Sequence, residues 1–302
     1  MNWLSLVAAA SIGAAAPLPP PPLDEFRDRV TNGEPAQPGD APWQVEVRWT
    51  GPLKPGSDLA EYERRHVCGG SFIARNWVLT AGHCIDPVGD LPFVPNAIVR
   101  AGSLRIGGAM REFRIVRAMR HAKYFAPPKG DSPPLHDIAL FYVEERRAAT
   151  VAVREPIVPI DPYGSGTAVP PMSPSARVNV TGWGFTQKRD PGSIPDALQI
   201  GVLRMVPIAT CSITVGGKPV ALDAARNLCA KGDDPKRPAD SCQGDSGGPL
   251  IWRDPDLKPW LVGIVSWGMR ACSGGVPGVY VNVRSYLNWI ERAKKSAGGA
   301  VE

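Results

Sequence analysis

The chain has 302 residues, of which 43% are hydrophobic and 21% charged, which excludes a wholly disordered protein and allows a large core. The formal net charge is only +5, and the Lys and Arg residues are scattered, so we expect no nucleic-acid partner. A content of 33 prolines and 32 glycines favours many short strands joined by turns, and therefore an all-β fold.

The N-terminal segment has the features of a secretory leader. Residues 1–16, MNWLSLVAAASIGAAA, are apolar and end in small residues, which is typical of a signal peptide. Residues 17–29 begin with an extended proline run, PLPPPPL, and are interpreted as a short propeptide. A buried N-terminal helix is the alternative for residues 1–16. We expect a secreted protein without a membrane span, because the apolar run is too short to cross a bilayer comfortably.

The rest of the chain contains short apolar runs, rich in β-branched and aromatic residues, that are typical of strands. They span residues 44–49, 77–80, 113–120, 138–143, 177–181, 198–206, 260–267 and 279–283. The proline-rich stretch at about 146–174 predicts a linker between a first unit, about 30–145, and a second unit, about 175–283. The apolar stripe of SYLNWIERAKKSA predicts a C-terminal helix at about 284–297.

Cysteine spacing predicts disulfides and argues against a metal site. The six cysteines form an even set, which in a secreted chain favours three disulfides without choosing among the possible pairings; they are Cys68, Cys84, Cys211, Cys229, Cys242 and Cys272. The chain lacks CxxC pairs and an HExxH helix, and residues 104–111 contain no carboxylate that would bind calcium. We therefore expect neither a metal nor a small cofactor.

Three side chains form a candidate catalytic set. Ser246 lies in DSCQGDSGGPL (240–250), His83 ends the run WVLTAGHC, and Asp137 begins the run DIALFYV. A serine hydroxyl becomes nucleophilic when an imidazole takes its proton and a carboxylate orients that imidazole. Each residue alone is equally well explained as a turn or capping residue. Their joint occurrence favours nucleophilic catalysis.

Several motifs together resemble one family, the chymotrypsin-like serine endopeptidases of the trypsin type. In chain order they are CGGSFIARNWVLTAGHC (68–84), DIAL (137–140), GWG (182–184), DSCQGDSGGPL (240–250), SWG (266–268) and PGVYVNV (277–283). The resemblance extends from about residue 30 to the final helix. It implies two antiparallel six-stranded β-barrels, with the active site in the cleft between them, and a peptidase domain that spans residues 30–302.

The resemblance also implies the roles of individual residues. Ser246 would attack the peptide carbonyl, His83 would transfer the proton, and Asp137 would orient His83. The N–H groups of Gly244 and Ser246 would form the oxyanion hole, and Ser266 would hydrogen-bond Asp137. The implied disulfides are Cys68–Cys84, Cys211–Cys229 and Cys242–Cys272.

Substrate preference follows from the residues that the resemblance assigns to the primary pocket. Asp240 would lie at its base and favour Arg or Lys before the cleaved bond, since a buried carboxylate requires a cation. The other implied substrate-binding residues are Ser266, Trp267, Gly268 and Gly278. The chain departs from the family pattern at Met269, Arg270 and Ala271, where Arg270 would compete for Asp240. An insertion, GPLKPGSDLAEYERRH (51–66), predicts a surface loop beside the cleft.

The sequence RVTNG (29–33) resembles an activation junction. Cleavage after Arg29 would free the amine of Val30, which would pair with Asp245. We therefore expect a monomeric zymogen whose partners are polypeptide substrates, an activating protease and protein protease inhibitors. Asn179 in NVT is a nominal glycosylation site in a predicted strand, so we expect low occupancy. The alternatives are a catalytically silent protease-fold binding or regulatory protein, and an active enzyme with altered primary specificity.

Overall fold

A computed structural model describes residues 30–53, 55, 58–128, 132–146, 155–166, 169–186, 191–268, 272 and 275–298. The expected signal peptide and propeptide, Arg29, and the rim residues Met269 to Ala271 lie outside the described residues. Within the described ranges, no helix has both the length and the apolar character needed to cross a membrane.

Strands account for most of the regular structure. In chain order they are β1 (Glu34–Pro35), β2 (Gln44–Trp49), β3 (His66–Ala74), β4 (Trp77–Thr80), β5 (Ala97–Ala101), β6 (Arg111–Arg120), β7 (Ala139–Glu145), β8 (Asp161–Pro162), β9 (Arg177–Gly182), β10 (Gln199–Val206), β11 (Thr214–Val215), β12 (Lys218–Pro219), β13 (Asn227–Gly232), β14 (Pro249–Arg253), β15 (Pro259–Trp267) and β16 (Gly278–Asn282). The helices are α1 (Glu61–Arg65) and α2 (Leu287–Gly298), with 3-10 turns at Gly82–Ile85, Pro191–Ser193, Ile208–Thr210 and Val283–Tyr286.

The first barrel is a closed antiparallel sheet in the order β2-β3-β4-β7-β6-β5. Apolar side chains from all sides fill its interior, including Val45, Phe72, Leu79, Leu140 and Phe141, each at most 1% exposed. Register shifts between Ile115 and Arg117 and at other points bend the strands, as closure of a small barrel requires. The core thus holds the ends of β4 and β7 rigidly.

The second barrel has the order β10-β13-β16-β15-β14-β9 and closes through pairing of β9 with β10. Its core includes Val180, Leu203, Leu250 and Tyr280, which are 0% to 1% exposed. The short strand β8 of the linker adds to β15 in parallel, and β11 and β12 form a separate hairpin. The expected fold of two six-stranded β-barrels followed by a helix is therefore confirmed.

Some elements differ from the expectation from sequence. The strands β3, β5, β13 and β14 were not predicted, because their apolar residues do not alternate clearly and β3 contains a Gly-Gly pair. The insertion predicted as a loop contains helix α1, and the C-terminal helix begins at Leu287 after a 3-10 turn. Strand β1 lies in the range expected for the first unit and yet pairs with β10 of the second barrel. Asn179 lies within β9, between β10 and β14.

The three disulfides have the pairings that the family resemblance implies. They join Cys68 to Cys84, Cys211 to Cys229 and Cys242 to Cys272, across sequence separations of 16, 18 and 30 residues. Each of these bonds closes a loop within one barrel, so none of them joins the two barrels. A disulfide stabilises mainly by restricting the unfolded chain, and here each one restricts a local segment.

Non-covalent contacts hold the barrels together. The Thr181 hydroxyl of the second barrel donates to Oε1 of Gln44 in the first at 2.7 Å, in a buried position. The N–H of Gly69 donates to the carbonyl of Ser246 at 2.8 Å. Helix α2 follows the second barrel in sequence, but its Ile290 packs into the same core cluster as the first-barrel residues. Hydrogen bonds and the packing of helix α2 therefore join the two barrels.

Leu140→Ala is expected to lower the free energy of unfolding by about 2 to 5 kcal/mol, because it leaves a cavity at a fully buried position. Urea unfolding monitored by tryptophan fluorescence measures the change. Val116→Ala in the same barrel is the control: its side chain is 41% exposed, so a change within about 0.5 kcal/mol is expected. Equal losses in both variants would contradict this description of the core.

Candidate active site

Strand pairing in the first barrel brings His83 and Asp137 together. Strand β4 ends at Thr80 and β7 begins at Ala139, and these two residues are direct partners in the antiparallel ladder. His83 follows the end of β4 in a 3-10 turn, and Asp137 precedes the start of β7. Two side chains that are far apart in sequence therefore emerge at the same edge of the barrel.

The Asp137 carboxylate is almost completely buried, with 1% of the residue exposed, and accepts three hydrogen bonds. Its Oδ1 accepts the backbone N–H of His83 at 2.8 Å. Its Oδ2 lies 2.8 Å from Nδ1 of His83 and 2.6 Å from the hydroxyl of Ser266, which donates to it from β15 of the second barrel. These bonds fix the carboxylate. Because a carboxylate only accepts hydrogen bonds, they also place a proton on Nδ1 of His83.

The electrostatic environment makes the His83 ring more basic than a free imidazole. Burial alone would lower its pKa, but the neighbouring Asp137 carboxylate outweighs burial, with a smaller contribution from Asp86, and the pKa of His83 is raised. The His83 side chain remains 26% exposed. An imidazole in this setting can accept a proton and hold the resulting charge.

Ser246 lies on a tight turn that packs against the end of β4. The next residue, Gly247, has a φ of +79°, and a Cβ there would clash with the Thr80 hydroxyl and the Gly69 carbonyl. Glycine is therefore required for the turn to approach the first barrel this closely. No hydrogen bond joins Ser246 to His83 in the described residues, and in unliganded sites such bonds are often long.

Gly244 has a backbone conformation that favours glycine, with a φ of +96°. A Cβ at this position would lie 3.0 Å from Cα of Gly184 and 3.2 Å from Cδ2 of His66, so the turn is packed tightly from behind. Nε2 of His66 is 2.9 Å from the Gly244 carbonyl oxygen. The sequence predicts no role for His66, because this residue lies outside the motifs that resemble the family.

Asp245 is a fully buried carboxylate that accepts the backbone N–H groups of Gly184 and Cys242, each at 2.8 Å. Burial raises its pKa to about 6 despite these two hydrogen bonds. No salt bridge to Asp245 occurs among the described residues. The buried side chain of Val30 belongs to the same core cluster as Ala239, so the segment that follows the expected activation junction lies within the second barrel.

A cavity of about 360 Å³ opens beside Ser246 in the second barrel. The expected pocket residues Asp240, Ser266, Trp267, Gly268 and Gly278 all line it. Among the described residues, the lining consists of Asp240, Ser241, Cys242, Gln243, Ser246, Val265, Ser266, Trp267, Gly268, Cys272, Val276 and Gly278. The Cys242–Cys272 disulfide joins two of these lining segments.

Asp240 and Ser241 give the lining of this cavity polar groups, and Tyr280 lies beside Ser241. Asp240 is only 9% exposed, and the hydroxyls of Ser241 and Tyr280 are 3.2 Å apart. Burial, and next the Asp240 carboxylate, raise the pKa of Tyr280, so the phenol stays protonated and can donate. Ser241 and Tyr280 were not predicted as site residues, although each lies inside a quoted motif. A carboxylate and a hydroxyl in the lining of a cavity suit a cationic side chain.

One group of potential metal ligands occurs in the described part of the chain, and it consists of Cys68, Cys84 and His83. The two sulfur atoms form a disulfide and therefore cannot act as thiolate ligands. Instead, the disulfide connects the turn that carries His83 to β3.

A comparison with protein-family models matches residues 30–290 to the family described as trypsin. The chain belongs to the trypsin family. The match covers both barrels and the first turn of helix α2, and thus every described residue of the candidate site. Membership of the trypsin family supports a serine peptidase of the hydrolase class.

Two relatives in the trypsin family illustrate its range. Trypsin Blo t 3 of Blomia tropicalis is 31% identical over 298 residues, which cover 96% of this chain and 98% of the relative. Transmembrane protease serine 11B of Homo sapiens is 31% identical over 271 residues, which cover 87% of this chain. The alignment spans only 55% of that second relative, so the chain covers about half of its length.

Asp137→Asn is expected to lower the pKa of His83, because the carboxylate is the charge that outweighs burial of the ring. NMR titration of the His83 ring measures this pKa. Asp86→Asn is the matched control and should cause a smaller decrease, since Asp86 contributes less. A larger effect of Asp86→Asn than of Asp137→Asn would show that the dominant partner has been misassigned.

Proposed function

We propose that this member of the trypsin family is a secreted serine endopeptidase that cleaves after Arg or Lys through an acyl-enzyme intermediate. The observation that carries the proposal is the buried Asp137 carboxylate bonded to His83, beside a cavity lined by both Ser246 and Asp240. A base and its orienting carboxylate thus accompany a hydroxyl and a pocket that suits a cation.

In the proposed mechanism, the Ser246 hydroxyl attacks the peptide carbonyl as His83 takes its proton. Asp137 keeps the ring oriented and stabilises its positive charge. The N–H groups of Gly244 and Ser246 bind the carbonyl oxygen as it becomes negative. His83 then protonates the leaving amine, and a water molecule, activated by the same ring, hydrolyses the acyl-enzyme. Activity should fall as the pH drops below the raised pKa of His83, because the protonated ring is no longer a base.

The preference for Arg or Lys rests on Asp240. A guanidinium or ammonium group of the substrate can form charge-assisted hydrogen bonds with this carboxylate, whereas an apolar side chain cannot. Gly268 and Gly278 leave room for a long side chain in the cavity. Discrimination against Phe of about 10³-fold or more in kcat/KM is expected from such a site.

Peptides that differ only in Arg, Lys, Phe or Ala before the scissile bond test the proposal. The activated protein should hydrolyse the Arg and Lys peptides, and Ser246→Ala should reduce kcat by about 10⁶-fold, with folding checked by circular dichroism. Asp240→Ser should remove the preference for Arg and Lys while leaving the Ser246 nucleophile intact. Equal hydrolysis by the protein and by Ser246→Ala would rule out the catalytic proposal, and a wild-type preference for Phe would rule out only the pocket assignment.

We further propose that the chain is a zymogen activated by cleavage after Arg29. The support is the Asp245 carboxylate, which is fully buried with a pKa raised to about 6 and two backbone donors. A new amine at Val30 would supply a cation, and the buried Val30 side chain already lies beside Ala239 in the second barrel. Three disulfides also support an oxidising, extracellular location for the enzyme.

A chain that begins at Val30, released from an N-terminal fusion, should be active. The matched control begins with Met before Val30, which moves the amine by one residue and should reduce kcat/KM by about 10²-fold or more. The amine gains a carboxylate, so its pKa rises above the free value of about 8, and activity should decline as the pH rises through that raised pKa. The intact Arg29→Gln chain should be inactive. If it were as active as the chain that begins at Val30, activation by cleavage would be contradicted.

A further inference from the structure

His66 is a buried histidine outside the proposed triad, at the junction between helix α1 and strand β3. Its side chain is 0% exposed. Nε2 lies 2.9 Å from the carbonyl oxygen of Gly244, whereas Nδ1 is buried without a hydrogen-bond partner. One nitrogen of this ring is therefore committed to the backbone of the residue whose N–H would bind the substrate oxygen.

The location of the ring proton decides whether this contact is attractive. A carbonyl oxygen only accepts, so the bond to Gly244 requires the proton on Nε2. Burial lowers the pKa of His66 to about 4, so at neutral pH the ring carries one proton. The competing acceptor is Oε1 of Glu46, which lies 3.9 Å from Nδ1. That distance is about 1 Å too long for a hydrogen bond, which favours the Nε2 tautomer.

Two arginines keep Glu46 away from the ring. Glu46 lies on β2 directly opposite Arg100 on β5, and its Oε2 accepts from Nη1 of Arg100 at 2.9 Å. Its Oε1 lies 3.5 Å from Nη1 of Arg48. Arg100 is fixed in turn by donation to the carbonyls of Ile106 and Gly108, at 3.1 Å and 2.8 Å. Both oxygens of the fully buried Glu46 are thus occupied by cations.

His66 contacts the carbonyl oxygen of Gly244, whereas the N–H group of Gly244 is the one that would bind the substrate oxygen. The φ of +96° and the carbonyl direction together determine where that N–H points. The His66 ring also packs closely enough that a Cβ on Gly244 would lie 3.2 Å from its Cδ2. A donor that is already aligned needs no reorganisation when charge develops on the substrate oxygen.

We propose that His66 is a positioning residue for the oxyanion hole, and that the Arg100–Glu46 ion pair maintains the His66 tautomer that this task requires. The proposal rests on the proposed endopeptidase function for its kinetic consequences. Its tautomer requirement is independent of activity, because it concerns only which ring nitrogen carries the proton in the resting protein.

His66→Phe keeps the ring volume and removes the donor. It should reduce kcat by about 10-fold, less than the 10²-fold or greater loss expected for an oxyanion-hole donor itself, with KM unchanged. His66→Gln retains an N–H donor and should recover most of the loss. His121→Phe, the same change at a partly buried histidine of the first barrel, is the control and should leave kcat unchanged.

Inhibitor binding separates positioning from general destabilisation. The Ser246 hydroxyl adds to the carbonyl of a peptide aldehyde, and the oxygen of the resulting hemiacetal occupies the oxyanion hole. The corresponding peptide alcohol does not react. His66→Phe should raise the Ki of the aldehyde by about the same factor as it lowers kcat and leave the Ki of the alcohol unchanged. Equal changes in both Ki values, or none in either, would overturn the proposal.

The tautomer is tested by ¹⁵N NMR of His66 and by two charge variants. The wild-type protein should carry the proton on Nε2. Arg100→Leu leaves Glu46 without its closest cation and should move the proton to Nδ1 and lower kcat, whereas Glu46→Leu combined with Arg100→Leu should restore both. A wild-type proton on Nδ1 would overturn the inference whatever the activity. If the wild-type protein carries the proton on Nε2 but shows no hydrolysis that depends on Ser246, only the proposed function is overturned.

Discussion

The Asp137 carboxylate is the group on which the architecture of the cleft depends. A carboxylate with 1% exposure is costly unless it is fully hydrogen-bonded, and here the donors come from both barrels: His83 from the first and Ser266 from the second. The barrels must therefore meet at this point with little freedom. The same bonds that satisfy the carboxylate also orient the His83 ring, so the requirements of folding and of chemistry coincide.

Buried carboxylates around the cleft have different hydrogen-bond partners, and these partners distinguish the carboxylates from one another. Asp137 is bonded to an imidazole, which can change its charge during a reaction. Glu46 accepts a hydrogen bond from Arg100, whose charge is permanent, so this ion pair keeps the same charge state. Asp245 has only backbone donors among the described residues and a pKa of about 6, which makes it the carboxylate most in need of a cation.

The motifs predicted the fold and most of the candidate site, because His83 and Asp137 lie in distinctive runs beside strand ends and Asp240 begins the run DSCQGDSGGPL in a loop. The disulfide pairings also followed from the family resemblance. Strands β3 and β14 were missed, since a Gly-Gly pair and a leading proline hide their pattern until neighbouring strands pair with them. His66 was missed because its importance comes from a contact with Gly244, which is 178 positions away in sequence.

The contacts between the two barrels determine what is disrupted when the barrels separate. Thr181 bonds Gln44, and Gly69 bonds the main chain of Ser246 itself, while the disulfides stay within single barrels. Heat or denaturant that separates the two barrels must therefore break the hydrogen bond to the main chain of Ser246. The disulfides hold the turn of His83 and the cavity lining in place within single barrels, but they do not oppose separation of one barrel from the other.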